Sequence, residues 1–232
     1  MKKIIYSVLG LALLFTSCED QLIQEPNTNK VANGFYTNET ELEEAINAAY
    51  ASLQFSGNYD LGMPAIGEIP GEDAYDETPA NDGGRYGEID QYSVIPQNSI
   101  IGDIWKHSYQ GIQRANIVLN RIEEIPYQNE SVKNSRHGEM LFIRALLYFN
   151  LVRVYGDVPL VIDEVNNPQD FFGQARTSKN EVYEQIILDL NTAIDLLPVR
   201  NEANKRWAGS LKRSVFQIIN PSIIGGKMVD KY

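Results

Sequence analysis

The chain has 232 residues, with 31 carboxylates against 20 lysines and arginines and a formal net charge of −11. That balance excludes a nucleic-acid surface, which needs a basic stripe against phosphate, and the single cysteine excludes an intramolecular disulfide. The length suits one domain of ordinary size.

The N-terminus has the layout of a secretory lipoprotein signal. Lys2 and Lys3 form a basic start, Ile4 to Phe15 is an apolar stretch too short to span a bilayer, and Thr16-Ser17 places small residues before Cys18. Phe15 stands where leucine is usual in a lipobox. Cys18 is therefore the expected lipidation site and residues 1–18 the signal region. Residues 19–36 are polar, contain Pro26 and read as a tether that holds a folded body, residues 37–204, away from the membrane.

Asn38 with Glu41 three residues later is an N-cap signal. Leu42, Ala45, Ile46, Ala49, Tyr50 and Leu53 then make one apolar face, which predicts a helix over Glu39 to Gln54. From Ser56 to Gln97 no helical period is visible, and seven glycines and four prolines interrupt the segment. It reads as a long irregular loop excursion, a feature that in compact domains is usually functional or disordered. Tyr59, Tyr75, Tyr86 and Tyr92 argue against disorder. The charge is concentrated here: Glu39 to Asp90 holds thirteen carboxylates against Arg85 alone.

Trp105, Tyr109, Ile112, Asn116 and Leu119 fall on one face of a second predicted helix, Ser99 to Ile125, stopped by Pro126. On that inward stripe Trp105 is expected to be core. The third, Ser131 to Tyr155, is apolar on nearly every side from Met140 onward, with Arg144, Asn150 and Arg153 as the interruptions. Such a helix is packed inside a bundle. Gly156 suits its left-handed cap and Pro159 blocks continuation. A fourth helix opens on the capping box Ser178-Lys179-Asn180-Glu181 and ends at Pro198, with Tyr183, Ile186, Ile187, Leu190, Ile194 and Leu197 inward.

Three ordered strings closely resemble the hallmarks of the SusD/RagB family. They are Ile143-Arg144-Ala145-Leu146-Leu147-Tyr148-Phe149 running into Leu151-Val152-Arg153-Val154-Tyr155-Gly156-Asp157-Val158-Pro159-Leu160; Trp105, Tyr109, Ile112, Ala115 and Asn116 at the family's spacing; and Val182-Tyr183 with Ile186, Asp189, Leu190 and Ala193. The resemblance covers about Cys18 to Pro198. It implies a mostly α fold of tetratricopeptide-like helical pairs, although the chain has no clean 34-residue repeat. It also implies a nutrient-binding lipoprotein of the outer membrane. Such a protein sits as a lid on a TonB-dependent (SusC-like) transporter, captures oligosaccharides or sometimes peptides, and passes them inward without chemistry. Glu19 and Asp20, directly after the cysteine, resemble the surface-export signal of lipoproteins in the family's hosts. The alternatives are a structural or adhesion lipoprotein on the same scaffold, or a truncated fragment without function.

No catalytic motif stands out. His107 and His137 have no metal-ligand spacing to another His or Cys, and no nucleophile elbow or phosphate loop is present. No catalytic residue, metal or cofactor is expected. Glu68, Glu72, Asp73, Asp76, Glu77 and Asp82 form an acidic cluster, but Tyr75 breaks the calcium-loop register that would start at Asp73. A looser calcium site, or a carboxylate pair for glycoside hydrolysis, stays open on sequence alone. Sugar recognition needs flat aromatic faces and planar polar groups, and the excursion supplies both in Asp73, Tyr75, Asn81, Arg85, Tyr86 and Tyr92. These are the candidate ligand residues; the competing role for the tyrosines is to anchor the loop to the helices.

Residues 205–232 depart from the body. The charge turns to six bases against Asp230, and Lys205-Arg206-Trp207-Ala208-Gly209-Ser210 stands where the resemblance expects Gly-Arg and an alanine-rich helix. The genetic code allows a one-nucleotide shift to re-read Arg206–Gly209, Lys212–Phe216 and Gly226–Met228 as family-like residues. The tail is therefore expected to be out of frame and the product truncated, the alternative being a divergent tail.

Overall fold

The structure, a computed structural model, describes residues 36–71, 74–77, 82–167, 169 and 172–198. The expectations for Cys18, the tether before Tyr36 and the tail 205–232 lie outside these residues. Among the described residues the fold is helical, with no strand and one isolated antiparallel bridge, Val158 to Thr177.

The long helices are α1 (Glu39–Ser52), α4 (Ser99–Arg121), α5 (Glu130–Tyr155) and α6 (Lys179–Leu196), with two short ones, α2 (Gly62–Glu68) and α3 (Arg85–Asp90), between the first two. Each long helix starts on the side chain of a cap residue. Asn38 accepts from the Glu41 N–H, Asn98 from Ile100 and Ile101, Asn129 from Ser131, and Ser178 with Glu181 closes a full capping box. At α1 the return bond from Glu41 goes to Thr37 rather than to the cap residue.

The four long helices stack in chain order: α1 on α4, α4 on α5, α5 on α6. α5 is buried without a break from Gly138 to Ala145 and again from Leu147 to Val152, because helices cover it on both sides. At about 1.5–3 kcal/mol for each fully buried large apolar side chain, this helix carries much of the drive to fold. Its end needs Gly156, whose φ of +74° and ψ of −117° lie outside the left-handed helical well expected from the sequence, in a region that glycine alone occupies readily.

Ser56 to Gln97 is less irregular than its composition suggests. It contains a π-helical turn, Ser56–Asp60, then α2, a 3₁₀ turn at Ile69–Gly71, and α3. These pieces are too short to show a period and too short to be stable alone. They form because Ala65 and Ile89 meet Ile100 and Ile104 of α4 in a second, smaller core. The π turn lies on the α4 backbone itself: a Cβ at Gly57 would fall 2.0 Å from the Asp103 carbonyl oxygen. Gly57 N–H donates to His107 Nδ1 at 2.8 Å, and Asn58 bridges Ser52 O and Ser108 Oγ.

Candidate functional site

Two surfaces flank α4. On one side lies the excursion; on the other lies the connection Gly156–Thr177, a strap. From Pro159 to Asn167 the strap is neither helix nor strand, so its backbone groups need partners from elsewhere. The helices supply them. Tyr109 Oη donates to Pro159 O at 2.7 Å. Tyr148 Oη donates to Val161 O at 2.9 Å and accepts from Val161 N–H at 2.7 Å. Burial raises the Tyr148 pKa, so the hydroxyl keeps the proton this double role requires. Asn116 Nδ2 donates to Val161 O and Asp163 O, Gln113 bonds both backbone groups of Val165, and Arg121 holds Glu164 with two bonds of 2.9 Å.

Arg144 organises this network. It bonds Asp189 of α6 with two nitrogens, and its Nη1 donates to Asn116 Oδ1 and Ile162 O. Gln185 closes the ring on Asp189. The family-like strings of the sequence therefore converge here, and Tyr109, Asn116, Arg144, Tyr148 and Asp189 among them serve to hold the strap.

The excursion contains the described candidates. Asp73 and Asn81 lie outside the described residues. Tyr75 and Tyr92 are 70% and 77% exposed. The Tyr75 hydroxyl donates to Glu77, and the Tyr92 hydroxyl donates to Pro70 O, tying the 3₁₀ turn to the end of α3. Arg85 lies 4.8 Å over the Tyr86 ring, and that ring packs on the smaller core. Asp82 shapes this corner. Its carboxylate accepts from Tyr86 N–H and Gly84 N–H, and those bonds hold its pKa below the usual carboxylate range. The Tyr86 ring thus packs against the fold, Tyr75 and Tyr92 present open faces, and among the described residues no hydrogen bond or ring contact joins either to the Arg85–Tyr86 pair.

On the strap side an open groove of about 610 Å³ runs along α4, floored by Ile112 and lined by Trp105, Tyr109, Val161 and Phe172. Trp105, read from sequence as core, does pack on the main cluster but also faces this groove. Sequence reasoning did not mark Phe172. The signal was an aromatic pair, Phe171-Phe172, in the polar stretch from Asn166 to Arg176. Among the described residues no three metal-binding side chains converge, and no helix is long and apolar enough to cross a membrane.

Residues 27–209 match the SusD-like family described as starch-binding and associating with the outer membrane. The chain belongs to the SusD-like family. It is 28% identical over 198 residues to SusD-like protein P2 of Formosa agariphila, covering 85% of this chain and 39% of that one. It is 29% identical over 216 residues to a SusD-like protein of Bacteroides ovatus, covering 90% and 38%. Among solved structures, a laminarin-binding SusD-like protein superposes with a TM-score of 0.65 at 27% identity, covering 78% of this chain and 40% of that one. A SusD-like protein of Bacteroides fragilis shares the fold with a TM-score of 0.64 at 23% identity, covering 80% and 36%. The chain thus spans about two fifths of the length of these SusD-like relatives.

Proposed function

We propose that this SusD-like chain belongs to an outer-membrane lipoprotein that captures glycans at the cell surface and hands them to a TonB-dependent transporter without altering them. The observation that carries the proposal is the family match over residues 27–209, supported by the likeness to a laminarin-binding structure. The excursion supplies a physical basis. Tyr75 and Tyr92 offer aromatic faces to the apolar side of a sugar ring, and neighbouring carboxylates offer acceptors to its hydroxyls. Cys18 carries the lipid anchor and the residues after it the tether, which holds the helical body outside the bilayer.

A glycan array probed with the full chain tests the binding step. Retention of β-glucan or other neutral oligosaccharides supports it, and an array with no bound glycan returns the chain to the scaffold or adhesion alternative. Palmitate labelling in cells tests the anchor. Wild-type chain should incorporate label and Cys18→Ala should not; an unlabelled wild type removes the anchor from the proposal. Pull-down from outer membranes followed by identification of a co-purifying TonB-dependent β-barrel tests the hand-over.

A further inference from the structure

We infer that the groove between α4 and the strap is a second glycan site, distinct from the excursion, and that it takes an acidic sugar, a hexuronate unit of an anionic oligosaccharide. That the ring is a sugar rests on the nutrient-binding proposal above; that it is anionic rests on the groove itself.

The aromatic wall is rigid. Trp105 and Tyr109 stand one turn apart on α4 with ring centroids 5.0 Å apart, Trp105 meets Tyr155 edge-on at 5.1 Å, and the Tyr109 hydroxyl is tied to Pro159 O. Phe172 faces the groove from the strap and is 72% exposed. A large aromatic left open, with fixed rings lining the same groove, is the arrangement that takes the apolar face of a ring. The volume falls in the range of small-ligand sites.

The charge is the unexpected part. In a chain of net −11, the described residues that line the groove include two cations, Lys106 and Arg114, and no carboxylate. Arg114 donates to Ala48 O at 2.7 Å and lies 4.8 Å over the Phe55 ring, which fixes it. Among the described residues neither cation has a carboxylate within ion-pair distance, a condition they share with Arg85, Arg153, Arg176 and Lys179, whereas Arg121, Lys133, Arg136 and Arg144 are paired. Gln110 adds a planar amide at the rim for hydroxyl groups. Fixed aromatic faces beside cations without counter-charge complement a carboxylated pyranose better than a neutral one.

Calorimetric titration of the full chain with trigalacturonate and with neutral laminaritriose tests this. Trigalacturonate is expected to bind, more weakly as salt rises, because its carboxylates are screened. Lys106→Glu should weaken it by at least about tenfold, the scale of one charged hydrogen bond, and Phe172→Ala should weaken it too, both with unchanged melting temperature. Both side chains are exposed, so neither variant burdens the fold. Tyr75→Ala and Tyr92→Ala should leave trigalacturonate affinity unchanged. Equal affinity for the two trisaccharides, no response to Lys106→Glu and Phe172→Ala, or no trigalacturonate binding at millimolar concentration overturns the inference. Laminaritriose binding that responds only to the Tyr75 and Tyr92 variants keeps the excursion and removes the groove. Failure of every glycan removes both.

Discussion

Arg144 and Asp189 face each other across the α5–α6 interface with two parallel bonds, Nε to Oδ2 and Nη2 to Oδ1, each 2.8 Å long. The two residues are 7% and 2% exposed, so neither charge has water to fall back on. Removing one partner of such a pair costs about 3–5 kcal/mol. Arg144→Ala and Asp189→Ala are each expected to lower stability by that amount and to loosen the strap, whose Ile162 carbonyl loses its donor in the arginine variant. Urea denaturation of the full chain measures it. A midpoint unchanged in either variant shows that the pair is not buried as described. Replacing both with well-packed apolar residues should recover part of the loss, since the desolvation penalty goes with the charges.

Gly57 is a point of close approach between the excursion and the α4 backbone, and a methyl group there would meet the Asp103 carbonyl at 2.0 Å. Backbone has nowhere to retreat, so Gly57→Ala should detach the π turn at a cost of about 1–3 kcal/mol. Hydrogen exchange should accelerate over residues 56–71 while α5 stays protected. Uniform exchange identical to wild type would contradict the close approach.

Gly156 carries a second backbone constraint. With φ +74° and open space around it, the obstacle to a side chain is conformational rather than steric contact with neighbours. Gly156→Val should cost about 1–3 kcal/mol, the strain of a β-branched residue held in that region. A melting temperature equal to wild type would mean that the turn re-forms with negative φ.

Tyr75 and Tyr92 separate ligand contact from anchoring. Both rings are open, so Tyr75→Ala is expected to change the melting temperature little and to weaken binding of whichever neutral glycan the array identifies. Tyr92 also donates to Pro70 O, so Tyr92→Phe isolates the hydroxyl from the ring. Binding retained in Tyr92→Phe and lost in Tyr92→Ala points to stacking. A large loss of stability with binding intact in the alanine variants would make both residues anchors.

The apolar run holds two charges, Arg144 near its middle and Arg153 near its end; the first is buried and the second exposed, and the partner of Arg144 was not legible. Asp189 is 45 residues away on another helix, and although its spacing from Ile186 and Ala193 puts it on the inward side, nothing local names its partner. The same limit applies to Tyr109, Tyr148 and Asn116. Their spacing on helical faces was visible, while their use as donors and acceptors for the strap backbone depended on where a segment without periodicity came to rest. The groove was hidden for that reason too, since Phe172 and α4 line one groove only because the strap is pinned where it is.

Apolar period, caps and glycine or proline stops by themselves determined the four long helices and their order, because those signals act over one or two turns and each helix is long enough to repeat them. The third helix was even marked as interior, since an apolar surface on every side has no stable place in water. Tertiary structure alone decided the short helices of the excursion and the course of the strap. A six- or seven-residue helix, or an irregular strap, gains too little locally to offset its ordering entropy, so it forms only where another element satisfies its backbone and covers its apolar side chains.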